Sequence, residues 1–187
     1  MHILVTGAPG SGTTTLGRAL AKTLSCKHLD SDDFFWIHTD PPFQRARDAS
    51  ERKSLLSSDL TGTSDVVLSG SIVGWGPTIE TAFDLIVFLY LPTELRLRRL
   101  VTRELKLYGT LSPGFLRWAA EYDKAPESRR SLKSHNKWLS LRSCPVLRLE
   151  RDETVALRLQ QVLEALPNSA LNRSNNGTAP WPRGSRG

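Results

Sequence analysis

The feature that most constrains the fold of this chain is a glycine-rich segment near its amino end. The segment Gly7-Ala8-Pro9-Gly10-Ser11-Gly12-Thr13-Thr14 follows an apolar run at 3–6 and precedes a helical pattern that continues to Leu24. It fits the spacing G-x-x-x-x-G-x-T between a strand and a helix, where backbone N–H groups and the helix dipole can hold phosphate oxygens. We therefore predict a phosphate-binding loop formed by Gly7, Gly10, Ser11, Gly12, Thr13, Thr14 and Thr15. The alternative is a glycine-rich turn that binds nothing.

Thr13 departs from the usual form of such a loop. It occupies the position where a lysine normally brings positive charge to the β and γ phosphates. A threonine hydroxyl can form a hydrogen bond there, but it cannot neutralise charge. Thr14 stands where a hydroxyl would coordinate Mg²⁺. Two interpretations stay open: another cation replaces the lysine, or the protein binds nucleotide without fast phosphoryl transfer.

Short apolar runs alternate with helical patterns along the chain. The runs at 3–6, 27–29, 66–69, 85–91 and 146–149 have the composition of buried parallel strands. The helical patterns lie at 13–24, 51–60, 93–108, 128–141 and 153–166. This alternation predicts an α/β fold with three layers and an open parallel sheet of five strands, in which ligands bind beyond the carboxyl ends of the strands.

Carboxylates follow the second predicted strand. Asp30, Asp32 and Asp33 lie close together in the sequence, as expected for a site that faces a metal ion, a substrate hydroxyl or a cationic partner. If the extended backbone continues past Asp30, the side chains of Asp30 and Asp32 point the same way, which predicts both, with Thr14, as metal ligands. Asp32 is also a candidate general base for an attacking hydroxyl. The alternative is that Asp32 or Ser31 caps the following short helix.

The segment that follows these carboxylates carries candidate acceptor-binding residues. Basic side chains that could hold a phosphate or carboxylate are present at Arg45, Arg47, Arg52 and Lys53. Phe34, Phe35 and Trp36 line an acceptor pocket or belong to the core. Trp75, after the third predicted strand, stacks on a flat acceptor or is packed within its loop.

Basic residues also flank a turn-rich segment in the second half of the chain. Arg96, Arg99, Arg103 and Lys106 share one face of a predicted helix, a pattern typical of a solvated stripe. Arg129, Arg130 and Lys133 follow the turn-rich residues 108–114. We predict a lid at 109–128 whose closure brings Arg103 with Arg129 or Arg130 onto the phosphates as catalytic residues, in place of the absent lysine.

Composition bounds the remaining possibilities. The chain has 187 residues and a formal net charge of +6, and three arginines without any acid lie in the polar segment 168–187, which predicts a flexible tail after a domain at 1–167. The modest charge left on that domain makes nucleic-acid binding unlikely as the main function. No apolar run is long enough for a membrane span and no basic leader precedes the first strand, so we expect a cytoplasmic protein. Cys26 and Cys144 are expected to be buried thiols.

The quoted motifs resemble those of the small P-loop kinases of the adenylate kinase and shikimate kinase group. The matching pieces are GAPGSGTTTL, LDSDDFFW, VVLSGS and DLIVFLYLPTELRLRRLVTRE, with YDKAPESRRSLKSHNKWL resembling the far side of the lid. The resemblance spans residues 1–166 and implies strand order 2-3-1-4-5, binding of ATP and Mg²⁺, and an acceptor region after the second strand. By position it places ATP phosphates at Gly7 to Thr14, Mg²⁺ at Thr14, the acceptor opposite Asp32, and clamping arginines at 103 and 129 or 130.

Two function classes follow from this resemblance and from the variant loop. The first is a phosphotransferase that moves the γ-phosphoryl group of ATP to a small acceptor, with a nucleoside monophosphate ahead of a small hydroxylated metabolite. The second is a nucleotide-binding switch or assembly protein in which Thr13 leaves hydrolysis slow. Neither the acceptor nor the oligomeric state follows from the sequence.

Overall fold

The computed structural model describes residues 1–167, so the predicted tail at 168–187 lies outside the described residues. The first half contains β1 (His2–Gly7), α1 (Thr13–Thr23), β2 (Lys27–Asp30), α2 (Ser31–Phe35), β3 (Trp36–Ile37), β4 (Arg45–Ala46), α3 (Ala49–Thr61), β5 (Val66–Ser69) and α4 (Pro77–Glu80). The second half contains β6 (Leu85–Leu89), α5 (Thr93–Tyr108), α6 (Pro113–Ala120), a 3₁₀ turn (Glu121–Asp123), α7 (Leu132–Ser140), β7 (Val146–Leu149) and α8 (Val155–Ala165).

Five parallel strands form the central sheet in the order β2-β5-β1-β6-β7. Counted along the chain without the short β3–β4 pair, this is the order 2-3-1-4-5, and the predicted fold class is confirmed. The register sets Val5 of β1 and Asp30 of β2 opposite Ser69 of β5, and Gly7 opposite Leu89 of β6. The carboxyl ends of these four strands therefore meet along one edge.

The sheet is buried on both faces, which gives the domain two apolar layers. Alternate residues of β1 point to opposite sides, as the pleat of a strand requires. Ile3 and Val5 pack with Leu16 and Leu20 of α1 and with Val162 of α8. On the other face, the cluster contains Leu4, Leu56, Leu60, Ile79, Phe88 and Trp138. Near-continuous apolar strands are what a parallel sheet covered by helices needs.

The predicted lid segment contains its own short helices. The left-handed Gly109 (φ 66°) ends α5, and α6 begins with Pro113 in its first turn and with the Ser112 hydroxyl accepting from the Phe115 N–H. The 3₁₀ turn Glu121–Asp123 follows, so α6 and this turn lie between α5 and α7. Within residues 1–167, no helix is both long and apolar enough to cross a bilayer.

Candidate active site

The segment between β1 and α1 adopts the conformation of a phosphate-binding loop. Gly10 and Gly12 have φ of 83° and 98°, values that L side chains rarely adopt. A Cβ on Gly10 would come within 2.6 Å of the Arg96 backbone oxygen, so the loop also packs too closely there for any side chain. No side chain caps the start of α1. The backbone amides of its first turn therefore remain directed toward the loop mouth, where an anion is stabilised by the helix dipole.

Ser11 shapes the loop from within. Its backbone N–H donates to the Ala8 carbonyl at 3.1 Å, and its fully buried hydroxyl donates to the same carbonyl at 2.7 Å. Both donors of Ser11 are thus engaged inside the loop. The structure gives Ser11 a role in loop geometry, and the amides of the next four residues remain the candidate phosphate ligands.

Three arginines donate hydrogen bonds to carbonyl oxygens of this loop. The pairs are Arg130 Nη2 with the Gly7 oxygen at 3.2 Å, Arg96 Nη1 with the Pro9 oxygen at 3.4 Å, and Arg158 Nη1 with the Ser11 oxygen at 3.1 Å. Each arginine comes from a different part of the fold: Arg130 precedes α7, Arg96 belongs to α5, and Arg158 belongs to α8. A guanidinium therefore satisfies each of these three carbonyl oxygens.

Arg96 is the largest fully buried side chain of the domain, which corrects its assignment to a solvated stripe. Besides the Pro9 carbonyl, it donates to the carbonyls of Leu91 and Ala119 and to Asp123, the last at 3.2 Å. A buried guanidinium needs this complete set of partners because an unpaired charge in the interior is costly. Arg96 therefore ties the loop to the lid segment as a structural element.

Arg130, one of the arginines predicted to replace the missing loop lysine, lies against the loop. Its guanidinium lies 5.6 Å from the Trp118 ring centroid and bonds the Gly7 carbonyl, yet its Nε is buried without a hydrogen-bond partner among the described residues. Burial lowers the pKa of Arg130, and the negative charge of Asp32 opposes that shift. A cation whose guanidinium keeps unused donors at the loop is suited to binding a phosphate oxygen.

The other two predicted clamp arginines have different surroundings. Arg129 is half exposed and pairs with Glu121 at 2.8 Å, so it lies on the outside of the lid segment. Arg103 bonds Glu104 at 2.8 Å and lies 6.0 Å from the Phe115 ring centroid, and it is near enough to Asp32 to act on its pKa. The structure thus groups Arg103 and Arg130 with Asp32 and separates Arg129 from them.

Thr14 and Asp30, two of the three predicted metal ligands, are in direct contact. The Thr14 hydroxyl donates to Asp30 Oδ2 at 2.9 Å, while the other carboxylate oxygen of Asp30 accepts from the Asp32 N–H at 3.1 Å. Asp30 is therefore the N-cap of α2. The two cap candidates named from the sequence, Asp32 and Ser31, were wrong, since the helix begins one residue earlier than a cap at Ser31 would require and two residues earlier than a cap at Asp32 would require. The extended backbone also ends at Asp30, so the alternation argument for Asp32 fails.

The Thr14–Asp30 pair fits a magnesium ion. Hydroxyl and carboxylate oxygens are hard ligands, and Mg²⁺ is commonly held by one or two such groups together with substrate phosphates. No group of three or more His, Cys, Asp or Glu side chains within residues 1–167 could hold a metal ion by itself. A metal bound here would accordingly depend on the phosphates of a nucleotide.

Asp32 is an exposed residue, but neighbouring protein atoms remove part of the water around its carboxylate. Desolvation raises its pKa, the nearby charge of Asp30 raises it further, and Arg130 and Arg103 act in the opposite direction. A carboxylate with a raised pKa is a better proton acceptor than an ordinary one. Asp32 combines the access and the basicity that a general base requires.

A further cation stands on α3, beside the acceptor segment. The Arg52 guanidinium lies between two aromatic rings, 4.7 Å from the Phe35 centroid and 5.1 Å from that of Trp75. Its Nε is buried and has no hydrogen-bond partner within the described part of the chain. Trp75 is buried, which supports the packed alternative for this residue, and Phe34 belongs to the core. The two ring contacts limit the movement of Arg52, so a cation with an unused donor is held beside the acceptor segment.

The loop, the order of the strands and the carboxylates at their ends define a P-loop nucleotide-binding fold. A family model described as an AAA domain matches residues 3–110, and the chain belongs to this family. It is 41% identical over 179 residues to a Bacillus subtilis (strain 168) protein described as uncharacterized protein YqaC, a match that covers 90% of this chain and 98% of that one.

Two kinases are among the other similar proteins. A cytidylate kinase of Methanocorpusculum labreanum is 32% identical over 120 residues, covering 56% of this chain and 63% of its own. A shikimate kinase from Acinetobacter baumannii, solved with shikimate, superposes with a TM-score of 0.53 at 20% identity and covers 95% of both chains. The predicted resemblance to the P-loop kinases of the nucleoside monophosphate and shikimate kinase type is confirmed.

The two loop-binding arginines that sequence reasoning did not assign, Arg96 and Arg158, had a detectable signal. Each stands on the apolar side of its helix: Arg96 is four residues before the buried Leu100, and Arg158 is four residues before the buried Val162. A charged residue in a buried helical position requires a partner in the interior.

Cys26 and Cys144 are free and only half buried, so the expectation of buried thiols was wrong for both.

Proposed function

We propose that this protein is an ATP-dependent phosphotransferase that moves the γ-phosphoryl group to a small anionic acceptor, with a nucleoside monophosphate as the first candidate. The observation that carries the proposal is the grouping of Arg130 and Arg103 with Asp32 beside the phosphate-binding loop, where Arg130 bonds the Gly7 carbonyl. The name of the cytidylate kinase relative supports a nucleoside monophosphate.

Each part of the site would have a distinct role in the transfer. The amides of Gly12 to Thr15 would bind the phosphates of ATP, and Thr14 with Asp30 would hold Mg²⁺, which supplies further neutralisation of phosphate charge. Arg130 and Arg103 would stabilise the charge that develops on the transferred group. Residues 109–128 would act as the lid of a domain that comprises 1–167. Arg52 would hold the anionic group of the acceptor.

A hydroxylated acid is the second candidate acceptor, and Asp32 favours it. An attacking alcohol must lose a proton, which a carboxylate can accept, whereas the phosphate oxygen of a nucleotide is already anionic and gains nothing from a base. The fold of the shikimate kinase is consistent with this chemistry. The acceptor assay below distinguishes the two candidates.

The test follows ADP formation from Mg-ATP in the presence of cytidine, uridine or adenosine monophosphate, shikimate or gluconate. We expect acceptor-dependent ADP release, and we expect Asp32→Asn to lower kcat about 100-fold or more for an alcohol acceptor while ATP binding by calorimetry is retained. Asp33→Asn, at the exposed neighbouring position, is the matched control and should keep its rate.

The outcomes separate three functions. If Asp32→Asn is as active as the wild-type protein with a nucleoside monophosphate, Asp32 is not a base and the first acceptor class stands. Tight ATP binding without turnover of any acceptor would reject the phosphotransferase and support the nucleotide-binding switch.

A further inference from the structure

A buried histidine links the end of β5 to the lid segment. His135 of α7 is fully buried; its Nε2 lies 3.1 Å from the Ser71 hydroxyl, and its Nδ1 lies 2.7 Å from the hydroxyl of Tyr122 in the 3₁₀ turn. None of these three residues has a part in the mechanism proposed above. Burial, with the nearby charge of Arg130, lowers the pKa of His135 to about 3, so the ring is neutral and carries one proton.

The position of that proton follows from the partners of Tyr122. Tyr122 is almost completely buried, and His135 Nδ1 is the only hydrogen-bond partner of its hydroxyl among residues 1–167. If Nδ1 carried the proton, the Tyr122 O–H would be a buried donor without an acceptor, at a cost of about 1–3 kcal/mol. Tyr122 therefore donates to Nδ1, and the ring proton is on Nε2.

A second acceptor near the ring does not change this result. The Ser131 carbonyl also faces His135, but it already accepts from the His135 backbone N–H at 3.0 Å and from the Ser134 hydroxyl at 2.9 Å. Both lone pairs of that oxygen are thus in use. It offers little to a proton on Nδ1.

The consequence appears at Ser71. Nε2–H donates to the Ser71 oxygen, so the O–H of Ser71 is left to point elsewhere, and no other partner for it exists within the described residues. Ser71 is only partly buried and stands two residues past Ser69, which is level with Val5 of β1 and Asp30 of β2. Its neighbour Gly70 packs against Ser31, where a Cβ would come within 1.9 Å of the Ser31 hydroxyl. Ser71 accordingly lies at the same edge as the loop and Asp32.

We propose that Ser71 is a specificity-determining residue that donates a hydrogen bond to an oxygen atom of the phosphoryl acceptor, and that Tyr122 and His135 are positioning residues that fix this donor direction. The identity of the ligand rests on the proposed function, whereas the tautomer of His135 does not depend on it. Since Tyr122 belongs to the lid segment, the donor at Ser71 depends on the seating of that segment.

The first measurement is the tautomer of His135 in the full chain without ligand, read from long-range ¹H–¹⁵N correlations of the imidazole. The signal is assigned by its loss in His135→Gln. We expect the Nε2–H tautomer in the wild-type protein and a mixture of tautomers in Tyr122→Phe. Tyr90→Phe is the matched control, because it removes a hydroxyl that bonds Asp123 of the same 3₁₀ turn at 3.4 Å without touching His135. An Nδ1–H tautomer in the wild-type protein overturns the proposal.

The second measurement is the KM for whichever acceptor supports ADP formation in the assay described under the proposed function. Ser71→Ala removes one hydrogen bond, so we expect a rise of about 3- to 10-fold, with kcat and the KM for ATP changed less than 2-fold, and a smaller rise of the same kind in Tyr122→Phe. An unchanged acceptor KM in Ser71→Ala overturns the proposal. If the wild-type protein uses none of the acceptors, the proposed function fails, and the tautomer measurement decides this inference by itself.

Discussion

At the scale of single residues, the loop lacks the usual lysine, and three arginines from other parts of the fold bond its carbonyl oxygens. A P-loop lysine is a mobile point charge, whereas a guanidinium is a planar group with five donors. Arg130 uses one donor to bond the Gly7 carbonyl and its ring contact with Trp118 limits its movement. The charge that Thr13 cannot supply is therefore already placed beside the loop.

Arg130 and Arg129 provide an unusually close pair of test and control. Arg130→Ala should lower the rate of phosphoryl transfer by about 10³-fold or more, since arginines that stabilise this transition state contribute roughly 10³ to 10⁵. Arg129→Ala loses only a surface ion pair with Glu121, and we expect a rate within 2-fold of wild type. Single-turnover kinetics with the preferred acceptor measures both. Equal losses in the two variants would contradict the assignment.

At the scale of elements, the sequence predicts what depends on long patterns and misses what depends on single contacts. The five strands of the sheet are continuous apolar runs, and all were located. The β3–β4 pair has two residues in each strand, too few for an alternating pattern to be recognised. The helix α6 was hidden within a turn-rich segment, although Ser112 followed by Pro113 is a recognisable helix start.

The candidate site shows the same division. Thr14 and the loop glycines were proposed because the motif fixes them within one short segment, and Asp30 because it follows a predicted strand. The roles of Arg130 and Arg129 could not be separated from the sequence, because neighbouring positions of an irregular segment have no periodicity that says which side chain faces inward. The capping role of Asp30 depends on where α2 begins, and helix boundaries are the least certain part of any sequence pattern.

The helix α8 should influence nucleotide binding through a single side chain. Arg158 donates to the Ser11 carbonyl at 3.1 Å and to the Arg151 carbonyl at 2.6 Å, so Arg158→Met leaves one buried and one partly buried acceptor without this partner. We expect a loss of about 1.5–3 kcal/mol in the free energy of unfolding and a weaker ATP affinity, measured by urea denaturation and calorimetry. Arg151→Ala, which removes only an exposed side chain, should change neither.

At the scale of the whole molecule, the lid segment is connected to the rest of the domain through polar contacts in its second half. Arg96 bonds Ala119 and Asp123, and Tyr122 bonds His135. On α6 itself, Phe115 and Trp118 stack with their centroids 5.8 Å apart. One of these contacts is made by a buried, neutral histidine. Low pH favours protonation of this histidine and should therefore lower the stability of the whole domain.

The free energy of unfolding should decrease as the pH is lowered, because His135 is neutral in the folded chain. Its pKa is about 3 in the folded chain and near 6.5 when unfolded, so the unfolded state binds the additional proton between these values. The stability is complete above pH 6.5 and declines as the pH falls toward 3, by about 2 kcal/mol between pH 7.5 and 5. Urea denaturation at both pH values should show a smaller difference in His135→Gln. An identical pH dependence in the two proteins would show that His135 does not titrate in this way.

The arginine supports of the phosphate-binding loop also bear on the biosynthesis of the protein. The loop is synthesised before its supports, because Arg96, Arg130 and Arg158 follow their partner carbonyls by 87, 123 and 147 residues. A nascent chain consequently has an unsupported loop during most of its translation, and the last support arrives only with α8. The capacity to hold a polyphosphate is acquired late in synthesis, and a prematurely terminated chain that lacks α8 would not complete it.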